Sequence, residues 1–282
     1  MSTAATIRET LRSAMTEDPT VVVLGENVAR LGGIHETTRG LAAEFPERVL
    51  DTPLSEAGVV GLAVGLALGG KRPVVELTGG LGRALEQLVD EAASISADAS
   101  EFSVPLVVRV PFGDLPGLDG AHPEGLVAGH EGLDVVAPSN AADAAALLNE
   151  ALASTRPTVV LEGRSIYPRQ GAPVESRGTD VSLFAYGPGV PVALEAADAL
   201  AREGISAEVV DLRSLWPLDE GRLSESLRRT GRAVLVSGSE AYAARALSAL
   251  SASCFLHLES PPVRADVELA SIVKAARASV TY

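Results

Sequence analysis

Short runs of β-branched and aliphatic residues recur along the first part of the chain, each bounded by turn formers. Residues 20–24 read Thr-Val-Val-Val-Leu, and 73–76, 105–109, 134–137 and 158–161 have the same character. A strand buried on one face alternates apolar and polar positions. These runs do not alternate, which fits strands covered on both faces of a parallel sheet. Between them, the apolar spacing predicts helices over 56–68, 83–95 and 141–153. Strand and helix in alternation predict a doubly wound α/β domain over residues 1–165.

A polar stretch carrying Pro168, Gly171, Pro173 and Gly178 then interrupts the pattern, and residues 166–180 read as a linker. A second α/β domain is expected over 181–282. Its strands fall at 181–185, 207–212 and 233–236, its helices at 190–202 and 219–229, and a closing helix at 267–278. No internal repeat and no low-complexity tract breaks this scheme.

Composition narrows the function classes. A length of 282 residues suits two domains, and 46% hydrophobic residues suffice for two cores. The formal charge of −14 argues against a nucleic-acid backbone as partner. The single cysteine, Cys254, lies in the apolar run Cys-Phe-Leu-His-Leu and reads as a core thiol, in keeping with a reducing compartment. No Cys/His cluster has metal-binding spacing. The start of the chain lacks a signal-peptide pattern, and the apolar, Gly-rich stretch 57–70 is too short to span a bilayer. A cytoplasmic protein with no membrane partner is expected.

Several motifs then fall in a fixed order. Val-Val-Val-Leu-Gly-Glu-Asn-Val (21–28) is a strand ending in Gly-Glu, followed by Phe-Pro-Glu-Arg-Val-Leu-Asp-Thr-Pro-Leu-Ser-Glu-Ala-Gly (45–58). A Gly-rich helix and strand (61–76), Glu-Gln-Leu-Val-Asp-Glu-Ala-Ala (86–93) and Val-Pro-Leu-Val-Val-Arg (104–109) come next. His122, then His-Glu-Gly-Leu-Asp-Val-Val-Ala-Pro (130–138) and Asp-Leu-Arg-Ser-Leu-Trp-Pro-Leu-Asp (211–219), complete the series. Up to about Val236, this order and spacing resemble the β subunit of the thiamine-diphosphate-dependent 2-oxo acid dehydrogenases, pyruvate dehydrogenase among them, within the transketolase superfamily. The resemblance implies a pyrimidine-binding domain followed by a transketolase C-terminal-like domain.

The resemblance also assigns roles. Glu56 matches a glutamate that bonds a ring nitrogen of the cofactor's aminopyrimidine. A carboxylate there stabilises the tautomer that takes the proton from the thiazolium carbon, a proton transfer by a positioned group. An acid favoured by the dipole at a helix N-terminus would show the same local sequence. Glu26 matches an acid proposed to lie in a proton path between paired sites, and equally reads as an ordinary acid at a strand end. His122, on a Gly-rich loop with Gly117 and Gly120, matches a histidine facing substrate. The family usually continues it with Ser-Gln, whereas here Pro-Glu follows. His130 matches a further family histidine for which packing serves as well, and His35 and His257 have no strong claim. The family also implies a potassium ion on backbone carbonyls near Leu106 and Ala151, although Ser154 and Arg156 stand where it often has Asp and Asn.

Absences complete the reading. There is no Gly-Asp-Gly; Asp119-Gly120 sits in the wrong context. The resemblance therefore implies an α-type partner that holds the diphosphate and Mg2+, in a heterotetramer with the site between chains. Where the family has aromatic residues, this chain reads Leu-Thr-Gly-Gly-Leu-Gly-Arg (77–83), so Gly79, Gly80 and Gly82 become candidate cofactor neighbours in a reshaped, partner-filled or weakened pocket. The second domain is short, since Pro261-Pro262-Val263 leads almost directly into the closing helix. The family implies transfer of the acyl or ketol fragment to a lipoyl domain, but the shortening removes a segment that docks the multienzyme core and points to another acceptor, such as a carrier protein. The C-terminal half of a split transketolase, towards which Asp119-Gly-Ala-His122 leans, and a non-catalytic stabilising subunit are the alternatives.

Overall fold

The computed structural model describes residues 1–98, 102–113, 122–171 and 176–282. Gly117, Asp119, Gly120 and Pro173, named above, lie outside the described residues. In the first half, α1 (Thr3–Glu17) leads into β1 (Val21–Gly25), α2 (Leu41–Glu44), β2 (Val49–Asp51), α3 (Glu56–Leu68) and β3 (Arg72–Glu76). Then come α4 (Ser94–Asp98), β4 (Val107–Phe112), α5 (Glu124–Val127), β5 (Asp134–Val136), α6 (Ala141–Ala153) and β6 (Thr158–Gly163). The second half holds β7 (Val181–Ala185), α7 (Gly189–Ala201), β8 (Ala207–Asp211), β9 (Ser214–Trp216), α8 (Glu220–Thr230) and β10 (Ala233–Val236). It ends with α9 (Glu240–Cys254), β11 (Val263–Ala265) and α10 (Leu269–Val280).

Two sheets form among the described residues. One runs β2-β1-β3-β4-β6-β5-β9 and the other β11-β10-β7-β8. All pairings are parallel except β5 with β9. Of the strands without alternation, β1, β3, β4 and β6 are buried on both faces, while β5 is only partly buried at Asp134 and Val136. Val21, Val23, Val74, Val107 and Val160 point into a core shared with α1 and α6. Their neighbours Leu24, Val75, Val108, Val159 and Leu161 point into a second core with α3. That second core continues without a break through Phe184, Val210 and Leu235 of the following sheet, Tyr186 just after β7 and Tyr242 of α9. A third core, under α7 and α10, covers the far face of that sheet. Cys254 is fully buried, as a core thiol should be.

Two differences from the pattern reading matter for the site. The helix expected over 83–95 is broken into a 3-10 turn (Leu81–Ala84), a π-helical stretch (Glu86–Ala93) and α4. The tightened turn places Arg83 against Glu56, while Leu81, Ala84, Leu88 and Ala92 stay buried. The second difference is β9. It follows β8 in the chain, yet pairs antiparallel with β5 at the edge of the first sheet. Trp216 completes the join by donating from Nε1 to the carbonyl of His130 at 2.9 Å. The Asp211–Asp219 segment thus ties the two halves together.

Candidate functional site

The carboxyl ends of parallel strands are where doubly wound folds bind ligands, because the loops there diverge and the following helix N-termini converge. In this chain β1 ends at Gly25 just before Glu26, β2 runs into the Thr52–Ser55 turn, and β3 ends at Glu76 before Leu77 and Thr78. These elements line one cleft together with Glu56, the first residue of α3. Only about 10 Å³ of free space remains between them. Thr78 Oγ1 donates to Glu26 Oε2 at 3.1 Å, which fixes Glu26 on this rim.

Glu56 is 7% exposed. Ser55 adopts an extended conformation and offers no side-chain cap, so the acid sits where the unpaired N–H groups of α3 face outward. Arg83 donates from Nε to Glu56 Oε2 at 3.1 Å and from Nη2 to Oε1 at 3.0 Å. These bonds hold the Glu56 carboxyl below its ordinary pKa, against the effect of burial. Gly80 presses on the same carboxylate. Its φ of +74° favours glycine, and a Cβ there would stand 2.1 Å from Glu56 Oε1. Gly79 is buried beside it, whereas Gly82 is exposed and adjoins Leu126.

Beneath the cleft lies a fully buried ionic cluster. Arg109, 0% exposed, bonds Glu162 through Nε and Nη2 at 2.7 Å each and Glu76 through Nη1 at 2.7 Å. Strand register puts these groups together, since Glu76 pairs with Arg109 across β3 and β4. Thr37 donates to Glu76 and Tyr167 to Glu162, each at 2.5 Å. Burial opposes the charge on Arg109, but Glu162 and Glu76 outweigh it and raise its pKa. Both oxygens of Glu162 and Oε2 of Glu76 are thus engaged, which compensates the buried charges.

His122 lies elsewhere. It lines a separate cavity of about 220 Å³ between the two halves, with Phe112, Glu124, Arg164, Tyr186 and Gly238. Gly238 has no side chain because the imidazole occupies that space; a Cβ would fall 1.9 Å from His122 Cε1. Burial, and then Arg264, lower the His122 pKa, which favours the neutral ring. Its Nδ1 is 3.6 Å from Glu124 Oε1. Glu124 is buried, its carboxyl raised by desolvation, and Tyr186 donates to its Oε1 at 2.7 Å. Its Oε2 has no hydrogen-bond partner among the described residues.

The structure therefore brings Glu56, Glu26, Gly79 and Gly80 to one place and His122 to another. Arg164 spans the gap, donating to the carbonyls of Thr78 at 3.3 Å and Gly113 at 2.7 Å. His130 caps the end of α5 through the Leu126 carbonyl at 3.1 Å, a packing contact. The carbonyls of Leu106 and Ala151 accept backbone N–H groups of Thr158 at 2.8 Å and Ser154 at 3.3 Å, which gives the potassium expectation no support. Among the described residues no group of three or more His, Cys, Asp or Glu side chains could hold a metal. No described helix is long and apolar enough to cross a membrane. Sequence reasoning gave no role to Arg83, Thr78, Glu76, Arg109, Glu124 or Arg164. The one usable signal was Arg83 closing a glycine run, an odd place for a long cation.

Comparison with known proteins supplies a frame for this geometry. The family described as transketolase, pyrimidine binding domain, matches residues 1–170, and that described as transketolase, C-terminal domain, matches 170–281. The chain is 38% identical over 277 residues to the pyruvate dehydrogenase E1 component subunit beta of Leifsonia xyli subsp. xyli, covering 90% of this chain and 82% of that one. It is 34% identical over 287 residues to the 2-oxoisovalerate dehydrogenase subunit beta of Bacillus subtilis, covering 93% and 87%. A solved split-gene transketolase, an inactive β4 tetramer, superposes with a TM-score of 0.81 at 25% identity, covering 100% of this chain and 98% of that one.

Proposed function

The chain belongs to the β-type subunits of the thiamine-diphosphate-dependent 2-oxo acid dehydrogenase and transketolase group, and on that premise we propose that it supplies the pyrimidine half of a cofactor site whose diphosphate half comes from an α-type partner. In this reading the complex, a heterotetramer, decarboxylates a 2-oxo acid and passes the bound acyl or ketol fragment to a lipoyl or carrier-protein acceptor. The observation that carries it is Glu56, a buried carboxylate on the first turn of α3 at the carboxyl edge of the sheet.

The chemistry of these residues fits an aminopyrimidine. A buried carboxylate accepts strongly from a ring N–H, and such charge-assisted bonds are short and directional. The cofactor's contribution when bound is a carbanion at its thiazolium carbon. Glu56 holds the proton balance of the ring by accepting at one nitrogen. Glu26, steadied by Thr78, is the acid proposed to pass protons toward a neighbouring site. His122, whose lowered pKa favours the neutral ring, is the group proposed to face substrate. Gly80 keeps the carboxylate side of the cleft free of a Cβ. In this reading Mg2+ belongs to the partner's half, because the sequence of this chain carries no Gly-Asp-Gly.

The test is calorimetry with thiamine diphosphate and Mg2+ on the complex purified with its α-type subunit. Wild type binds. Glu56→Gln weakens binding by roughly ten- to a hundredfold, the loss of one charge-assisted bond. Absence of binding by the wild-type complex would sink the reading. A second reading, the C-terminal half of a split transketolase, draws on the neighbour with a TM-score of 0.81. Turnover of a ketose phosphate, with none of a 2-oxo acid, would select it.

A further inference from the structure

The aromatic platform of the family is replaced in this chain by a glycine run that ends in an arginine, and the structure shows what that arginine does. Its guanidinium meets both oxygens of Glu56, at 3.0 and 3.1 Å. Two bonds from one planar group to both oxygens bring the guanidinium and carboxylate planes toward coincidence, and they consume the lone pairs along the shared edge. Gly80 closes another side, with its Cα so near that a Cβ would lie 2.4 Å from Glu56 Cδ. Glu56 opens α3 at the rim of a cleft that holds little free space.

A ring nitrogen that donates to Glu56 also needs an in-plane lone pair of the same carboxylate. It therefore meets Arg83 as a competitor. We infer that Arg83 is a positioning residue that clamps Glu56 onto its own loop, and that an aminopyrimidine engages Glu56 only by displacing this guanidinium. The inference rests on the cofactor reading above and deepens it.

The part able to move is the side chain. Leu81 and Ala84 anchor the turn in the core, but the Arg83 side chain is 62% exposed while Glu56 is 8%. An arginine leaving such a pair regains water, and an exposed partner makes the pair weak, so the clamp is strong enough to order Glu56 and weak enough to yield. It also keeps the buried acid ionised until a ring arrives. A buried carboxylate without this partner would be left uncompensated in an empty site.

Three variants test this. In carboxyl-carbon NMR of the full chain, Glu56 titrates below the ordinary glutamate range in wild type, and Arg83→Gln moves it upward. In calorimetry on the complex with the α-type subunit, Arg83→Gln binds thiamine diphosphate roughly two- to fivefold more tightly than wild type, the release of an exposed ion pair. Arg83→Lys, which keeps charge but loses the fork, also binds more tightly than wild type. Equal or weaker binding by Arg83→Gln, while Glu56→Gln still weakens it, overturns the clamp and leaves the cofactor reading intact. An unmoved Glu56 titration overturns it as well. Failure of the wild-type and Arg83→Gln complexes alike to bind removes both.

Discussion

The phenol of Tyr186 donates to Glu124 Oε1 across the seam between the two halves of the chain, at 2.7 Å. The same oxygen of Tyr186 lies 2.8 Å from Ser237 Oγ, so one hydroxyl links a carboxyl from α5 to the end of β10. Tyr186 packs edge-on against Tyr242, with ring centroids 5.4 Å apart. Burial, and then Glu124, raise the Tyr186 pKa well above that of a free phenol, so it remains a donor throughout the working range.

Removing that donor should be costly. Tyr186→Phe takes the phenol donor from a buried carboxyl, and a weakened buried acceptor costs about 1–3 kcal/mol. Urea unfolding at neutral pH should show the loss. Burial raises the Glu124 pKa, so its protonated form is the one that folding favours. Its contribution is full below the unfolded glutamate pKa and fades as pH rises through the folded value. Glu124→Gln should therefore flatten that part of the stability profile.

Asp211 gives a sharper pH signature. It is buried, and desolvation pushes its carboxyl up to about 6. Ser139 donates to its Oδ2 at 2.5 Å, while Asp143 nearby pairs with Arg213 at 2.9 Å. Raised above the ordinary aspartate range, its contribution is complete below about pH 4 and lost as pH climbs toward about 6. The slope integrates to about 2 kcal/mol across that window. Chemical unfolding between these limits should show it, and Asp211→Asn should abolish it.

Arg109 stands between two buried acids. Arg109→Met keeps much of the volume but strands Glu76 and Glu162 together in the core. Breaking a buried ion pair from one side costs about 3–5 kcal/mol. Thermal unfolding should drop accordingly, and the restorative change is to make both acids glutamine in the same chain.

Gly80→Ala tests the close approach. An added methyl at a φ of +74° meets Glu56 Oε1 at 2.1 Å, so both backbone and carboxylate must shift. Stability should fall by about 1–3 kcal/mol. Cofactor affinity of the complex should fall with it, in contrast to the gain expected from Arg83→Gln. The pair of variants thus separates room beside the carboxylate from competition for its oxygens.

Several things about this protein could be read along the chain. The unalternated valine runs appear as strands buried on both faces, because a parallel sheet covered on both sides leaves no polar face to encode. The helices Glu56–Leu68 and Ala141–Ala153 have the expected limits, since apolar spacing is a local signal. Glu56 itself was visible as the acid opening an apolar helix. Tertiary structure alone decided what surrounds it. Arg83 lies 27 residues away and Glu124 lies 62 from Tyr186, while Arg109 is 33 from Glu76 and 53 from Glu162. Those pairs exist because strand order and register set distant residues side by side, and the antiparallel β9 joins a sheet that its place in the chain does not suggest. Periodicity is written within a few residues of each position. A pairing depends on where the whole sheet carries two side chains, so no local stretch contains it.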